Sequence, residues 1–79
     1  MIYIGCDLGT VAAKLVILKD DTVAATKTLA YKNLPRQAAV DVMEQALSEL
    51  GLTQDAVDGC LATGFGRKAV PYATSDVPE

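Results

Sequence analysis

Histidine is absent from all 79 positions of this chain. That removes imidazole acid–base catalysis, serine–histidine–aspartate triads and histidine metal sites from these residues. Cysteine is scarce: Cys6 and Cys60 lie far apart in sequence, each inside an apolar run. This is neither a C-x-x-C metal spacing nor a disulfide-dense framework, and it predicts two buried free thiols. Basic blocks are lacking too. Seven Lys and Arg are spread along the chain against ten Asp and Glu, for a net charge of -3 and a pI near 4.7. No basic stripe exists to hold a nucleic-acid backbone, so nucleic acid is not expected as a partner. No apolar run approaches the roughly 18 residues of a bilayer span, and the opening MIYIGCD has neither the basic region nor the small-residue cleavage site of a secretory signal. A cytoplasmic protein with no membrane partner is expected. Internal repeats and low-complexity segments are also missing.

What is present is 51% apolar and 22% charged, the balance of one small globular unit. A chain this short buries only roughly 60% of the surface its unfolded form exposes, so its core is thin, and its size points to a fragment of a larger domain. Ile2 to Asp7 is apolar at nearly every position, the pattern of a central strand covered on both faces. A second strand runs from Ala12 to Lys19 and stops at Asp20-Asp21, a pair that favours a tight turn, so the two strands on either side of it pair as a hairpin. In Thr22 to Tyr31, the residues Val23, Ala25, Leu29 and Tyr31 form one face of a third strand, broken only by Lys27.

Pro35 suits the first position of a helix whose stripe is Val40, Met43, Leu47 and Leu50, with Gly51 as its stop. After a short link in which Thr53 is able to cap one turn, Val57 to Thr63 reads as a buried fourth strand. Val70 to Glu79 is left as a tail or a short edge strand. The order strand, strand, strand, helix, strand describes an α/β fold with a mixed sheet. In it an antiparallel meander is followed by a right-handed crossover that sets strand four parallel to strand one.

Chemistry concentrates in two loops. At Asp7-Leu8-Gly9-Thr10 a carboxylate ends the first strand, a glycine permits a tight turn with positive φ, and a hydroxyl follows, with Lys14 further on. Backbone amides and the Thr10 hydroxyl suit phosphate oxygens, Asp7 suits a hydrated Mg²⁺, and Lys14 offsets negative charge. The same tetrapeptide is also ordinary hairpin chemistry, since Asp and Gly dominate turns for conformational reasons, and Lys14 alone reads as a solvated lysine. Position favours phosphate, because the turn faces the carboxyl end of a parallel strand, where open α/β sheets bind ligands. There the second loop, Ala62-Thr63-Gly64-Phe65-Gly66-Arg67, brings Gly64, Gly66 and Arg67 within reach of an anion or an acidic partner. Turn chemistry accounts for its glycines equally well.

The run Ile4-Gly5-Cys6-Asp7-Leu8-Gly9-Thr10 with Lys14, followed by Leu61-Ala62-Thr63-Gly64-Phe65-Gly66-Arg67, resembles the ATPase activators of 2-hydroxyacyl-CoA dehydratases and the related benzoyl-CoA reductase subunits. The first motif is shared across actin-like ATPases, sugar kinases and chaperones; the second points to the activators. The resemblance covers nearly the whole chain and implies that residues 1–79 are the amino-terminal portion of a ribonuclease-H-like, actin-like ATPase domain.

It further implies an iron–sulfur protein that couples ATP hydrolysis to electron transfer into a dehydratase or reductase partner, with a [4Fe-4S] cluster bridging a homodimer. Asp7 would then act on the Mg²⁺ water shell, and Gly9, Thr10 and Lys14 on the phosphates of ATP. The cluster ligands and the second phosphate loop of the family lie downstream, and Cys6 and Cys60 do not match the ligands. Thr10 replaces the serine of many members and keeps the hydroxyl, whereas Phe65 replaces a tyrosine and loses a donor.

Three other readings share some of these residues. A sugar or acyl kinase has the same opening loop. A ribonuclease or resolvase would need further carboxylates near Asp7, and strand four offers only Asp58, at its start. A small non-catalytic interaction domain would need none of this chemistry.

Overall fold

A computed structural model of the protein describes residues 1–77. The elements are β1 (Ile2–Leu8), β2 (Ala12–Lys19), β3 (Thr22–Ala30), α1 (Pro35–Glu49), a 3-10 turn at Gln54–Ala56, β4 (Gly59–Thr63), a second 3-10 turn at Arg67–Ala69, and β5 (Ser75–Asp76). They build one five-stranded sheet in the order β3-β2-β1-β4-β5. β1, β2 and β3 form the antiparallel meander, β4 runs parallel to β1, and β5 runs parallel to β4. This is the mixed sheet the residue pattern predicts, and of the described residues after Val70 only Ser75–Asp76 form the short edge strand, β5. Pro78 and Glu79 lie outside the described residues.

Local chemistry accounts for the joints. Asp20 and Asp21, with φ of 50° and 68°, place both central residues of the β2–β3 hairpin in the left-handed region that a two-residue primed turn requires. At the other end of α1, Gly51 has φ 68°. Its N–H donates to the Ser48 carbonyl at 3.0 Å, and the Leu52 N–H donates to the Leu47 carbonyl at 2.9 Å. These are the two bonds of a Schellman stop, which satisfies carbonyls that the helix end would otherwise orphan. Thr53 precedes the first 3-10 turn but makes no side-chain cap; its carbonyl accepts from Ala56 instead.

α1 lies across one face of the sheet. Beneath it are Ile2, Ile4, Cys6 and Leu8 of β1, Ala13, Leu15 and Ile17 of β2, and Cys60 and Ala62 of β4. Each large apolar side chain fully buried in this way contributes about 1.5–3 kcal/mol relative to exposure. Three expectations change here. β1 is covered on one face only: Tyr3 and Asp7 point to the opposite face and are exposed. A single helix cannot cover both sides, so β1 alternates like a meander strand in spite of its apolar composition.

The helix stripe is also rotated. Ala38, Ala39, Val42, Met43, Ala46 and Leu47 are buried, and Val40 is only half-buried. Small alanines let the helix approach the sheet closely and carry little hydropathy signal. Finally, the β2–β3 register shifts between Ile17, which pairs with Ala25, and Leu18, which pairs with Val23. This bulge at Ala24 turns Val23 to the open face beside Leu18, away from the set of Ala25 and Leu29. Lys27 remains in that set and reaches past the rim to Glu49 at the end of α1, with Nζ 2.8 Å from the carboxylate.

Candidate functional site

The loop-bearing end of the sheet is organised by register. Antiparallel pairing places Asp7 opposite Lys14, and parallel pairing places it beside Thr63; Lys14 in turn pairs with Thr28. Paired residues share a face, so Thr28, Lys14, Asp7 and Thr63 form a polar row across the open side of the sheet. Asp7 and Lys14 are exposed, and neither makes a salt bridge among the described residues.

The first loop leaves β1 after Leu8 and returns at Ala12. The Gly9 N–H donates to the Ala12 carbonyl at 3.0 Å, closing the turn. Gly9 is not in the left-handed region, contrary to the expectation of a positive φ, and a Cβ there would sit 3.4 Å from the Ala12 oxygen, an ordinary contact. This wider turn reverses the chain without a left-handed residue at that position.

The left-handed glycine of the site is Gly64, with φ 94°. A Cβ on it would run into the Asp7 carboxylate and come within 2.7 Å of the Leu8 carbonyl oxygen. Gly66 makes the second close approach: its N–H donates to that same Leu8 oxygen at 2.7 Å, and a Cβ would lie 3.0 Å from Leu8 Cγ. The second loop is thereby pressed onto the end of β1. Between the two loops lies a cleft lined by Asp7, Gly9, Thr10, Val11, Lys14 and Phe65, the last 79% exposed at its mouth.

Of the residues singled out from sequence, Asp7, Gly9, Thr10 and Lys14 thus share one cleft, with Gly64 packed against its floor. Arg67 is turned elsewhere. Its Nε lies 3.3 Å from the Asp76 carboxylate, an ion pair without hydrogen-bond alignment, and its Nη1 donates to the Gly64 carbonyl at 3.4 Å. Lys68 reaches the same carboxylate at 3.2 Å. These contacts tie the second loop to β5.

Tyr31 was not legible as a site residue. It follows β3 and entered the sequence pattern only as an apolar strand position, yet its N–H donates to the Val11 carbonyl at 2.9 Å and its hydroxyl donates to the Gly9 carbonyl.

One exposed carboxylate beside a hydroxyl loop fits Mg²⁺, which takes one or two carboxylates and completes its shell with water and substrate phosphates. Asp58 is at the far end of β1, where its carboxylate accepts from the Ile2 N–H at 2.7 Å. No group of three potential metal-ligating side chains is assembled among the described residues, so the carboxylate cluster of a ribonuclease-type centre is not formed by them. Cys6 and Cys60 are free and buried under α1, and burial pushes both thiols up, Cys60 to about 12. Neither fits an iron–sulfur cluster, whose ligands are thiolates. No helix among the described residues is long and apolar enough to cross a membrane.

Comparison with solved structures places this arrangement in a class. The activator of 2-hydroxyisocaproyl-CoA dehydratase from Clostridium difficile, determined with bound ADPNP, matches 99% of this chain with a TM-score of 0.88 and 26% identity. Component A of (R)-2-hydroxyglutaryl-CoA dehydratase from Acidaminococcus fermentans matches 99% with a TM-score of 0.89 and 24% identity. The fold is that of the actin-like ATPases. Within that class, the activators of 2-hydroxyacyl-CoA dehydratases are what the chain is similar to, as its two loops imply. It spans 29% and 30% of the length of those two activator chains. An uncharacterized protein of Methanocaldococcus jannaschii is 35% identical over 69 residues, which are 87% of this chain and 16% of that protein. No protein-family model matches the sequence.

Proposed function

We propose that the chain is the amino-terminal phosphate-binding part of an ATP-hydrolysing activator that drives a 2-hydroxyacyl-CoA dehydratase or a benzoyl-CoA reductase. The observation that carries this is the cleft in which Gly64 packs on the Asp7 carboxylate while Thr10 and Lys14 remain open to a ligand. The likeness to an activator determined with bound ADPNP supports the same reading. In it, Asp7 orients the water shell of Mg²⁺, the Thr10 amide and hydroxyl bind phosphate oxygens on a loop that Gly9 closes through its own N–H to the Ala12 carbonyl, and Lys14 balances their charge. Gly64 and Gly66 shape the floor, and Arg67 holds the second loop in place.

Residues 1–79 then form one jaw of a clamp. The second phosphate loop, the adenosine pocket, the [4Fe-4S] ligands and the homodimer contacts belong to the rest of a longer cytoplasmic protein. On the open sheet face Tyr3 and Leu61, from the parallel pair β1 and β4, are each more than two-fifths exposed, which supports a larger domain, because parallel strands are ordinarily covered on both faces. Catalysis that depends on closing two domains around the nucleotide is not expected of this chain alone.

Calorimetric titration with Mg–ATP tests the reading. Weak binding, on the order of millimolar, is expected of one jaw. Asp7→Ala should weaken it by roughly ten- to a hundredfold, the worth of an interaction with a charged group. Equal affinity in the two proteins would sink the assignment of Asp7.

A further inference from the structure

We propose that Tyr31 is a positioning residue for the first loop: its hydroxyl holds the Gly9 carbonyl so that the Thr10 amide faces the bound phosphate. The proposal rests on the phosphate reading of that loop and adds to it a residue that neither glycine nor charge patterns mark.

Tyr31 braces the loop on both sides of Thr10. Its N–H donates to the Val11 carbonyl at 2.9 Å, and its hydroxyl donates to the Gly9 carbonyl. The ring is half-buried and packs on the core beneath α1, which fixes the hydroxyl in space. The Gly9 oxygen and the Thr10 N–H belong to one peptide unit. That unit is trans, because no peptide bond among the described residues is cis, and a trans unit points its C=O and N–H in opposite directions.

Gly9 and Thr10, together with Phe65, line both of two neighbouring hollows. One contains Tyr31 and Pro35 on the helix side; the other contains Asp7 and Lys14. Drawing the Gly9 oxygen into the first hollow therefore aims the Thr10 N–H toward the second. Without the hydroxyl, the Gly9–Thr10 peptide loses the contact that fixes its direction, and any rotation away from it turns the Thr10 N–H off the phosphate and brings the carbonyl oxygen toward it. Such a rotation turns ψ of Gly9 and φ of Thr10; glycine sets no side-chain limit on the first, so the hydroxyl bond is what fixes the direction of the unit on that side.

Tyr31→Phe removes one oxygen and leaves the ring packing intact. Mg–ATP titrated into both proteins, at a temperature where circular dichroism shows each fully folded, should bind the variant roughly five- to tenfold more weakly. Unchanged affinity alongside a lowered melting midpoint would mean that the hydroxyl supports only the fold and would overturn the proposal. In the wild-type protein the Thr10 amide proton should move downfield as Mg–ATP binds, and a Thr10 amide that stays put overturns the proposal without recourse to any variant. Binding that is lost in Asp7→Ala but equal in Tyr31→Phe removes the positioning role alone. An absence of binding in the wild-type protein removes both readings.

Discussion

Replacing Gly64 with alanine tests how tightly the two loops are joined. Two effects add at this position. A φ of 94° lies in the left-handed half of the map, where a Cβ costs about 1–2 kcal/mol. The new methyl would also collide with the Asp7 carboxylate and lie 2.7 Å from the Leu8 oxygen and 3.0 Å from the Leu8 carbonyl carbon, so backbone must move. Overpacking of this kind costs typically about 1–3 kcal/mol, for a total of roughly 2–5 kcal/mol. Gly51 supplies the control, since it has φ 68° and a Cβ added to it would meet nothing within 4 Å. Gly51→Ala should cost only the conformational part, about 1–2 kcal/mol. Urea unfolding of both variants isolates the crowding as their difference. Should the two substitutions cost the same, the second loop is not pressed onto β1 and the cleft as described does not exist.

Two further outcomes follow from the joints and the core. Asp21→Gly removes a left-handed Cβ that costs about 1–2 kcal/mol and adds about 0.4–1 kcal/mol of unfolded-chain entropy, so it should raise stability by up to about 1 kcal/mol in the same urea assay, whereas a loss would contradict the primed turn. Cys60 keeps its proton in the folded state up to about pH 12, because desolvation under α1 raises its pKa, while in the unfolded chain it ionises near 9. Between those values the folded state binds more protons, so stability should fall as pH rises from about 9 toward 12. A Cys60→Ala variant should show a shallower decline, and an identical slope would contradict the assignment.

The sheet was legible because its strands end at chemistry that local rules capture: the Asp20-Asp21 turn, Pro35 at the helix start and Gly51 at its stop. What stayed hidden depended on tertiary placement. Val23 fits a period-two face with Ala25 until the bulge at Ala24 turns it over, and nothing in its residue type announces a bulge. Apolar content marks β1 as a buried strand but does not say how many layers cover it. The helix core is carried by Ala38, Ala39 and Ala46, which a search for large side chains passes over.

In the candidate site, the residues with charge or a hydroxyl were visible, and so were both glycine loops. Their division of labour was not. Positive φ was expected at Gly9 and resides at Gly64, because only the fold reveals which turn runs against a neighbouring strand. Tyr31 reaches the first loop through space from the end of β3, a contact that spacing cannot show.

The most direct test of phosphate binding is to find where a nucleotide touches the protein. Mg–ATP titrated into the isotope-labelled chain, with amide resonances followed residue by residue, should shift Gly9, Thr10 and Val11 together with Gly64 to Gly66, and these shifts should vanish in Asp7→Ala. Shifts confined to the open sheet face around Tyr3 and Leu61, or shifts that persist in Asp7→Ala, would contradict the assignment of the two loops to phosphate.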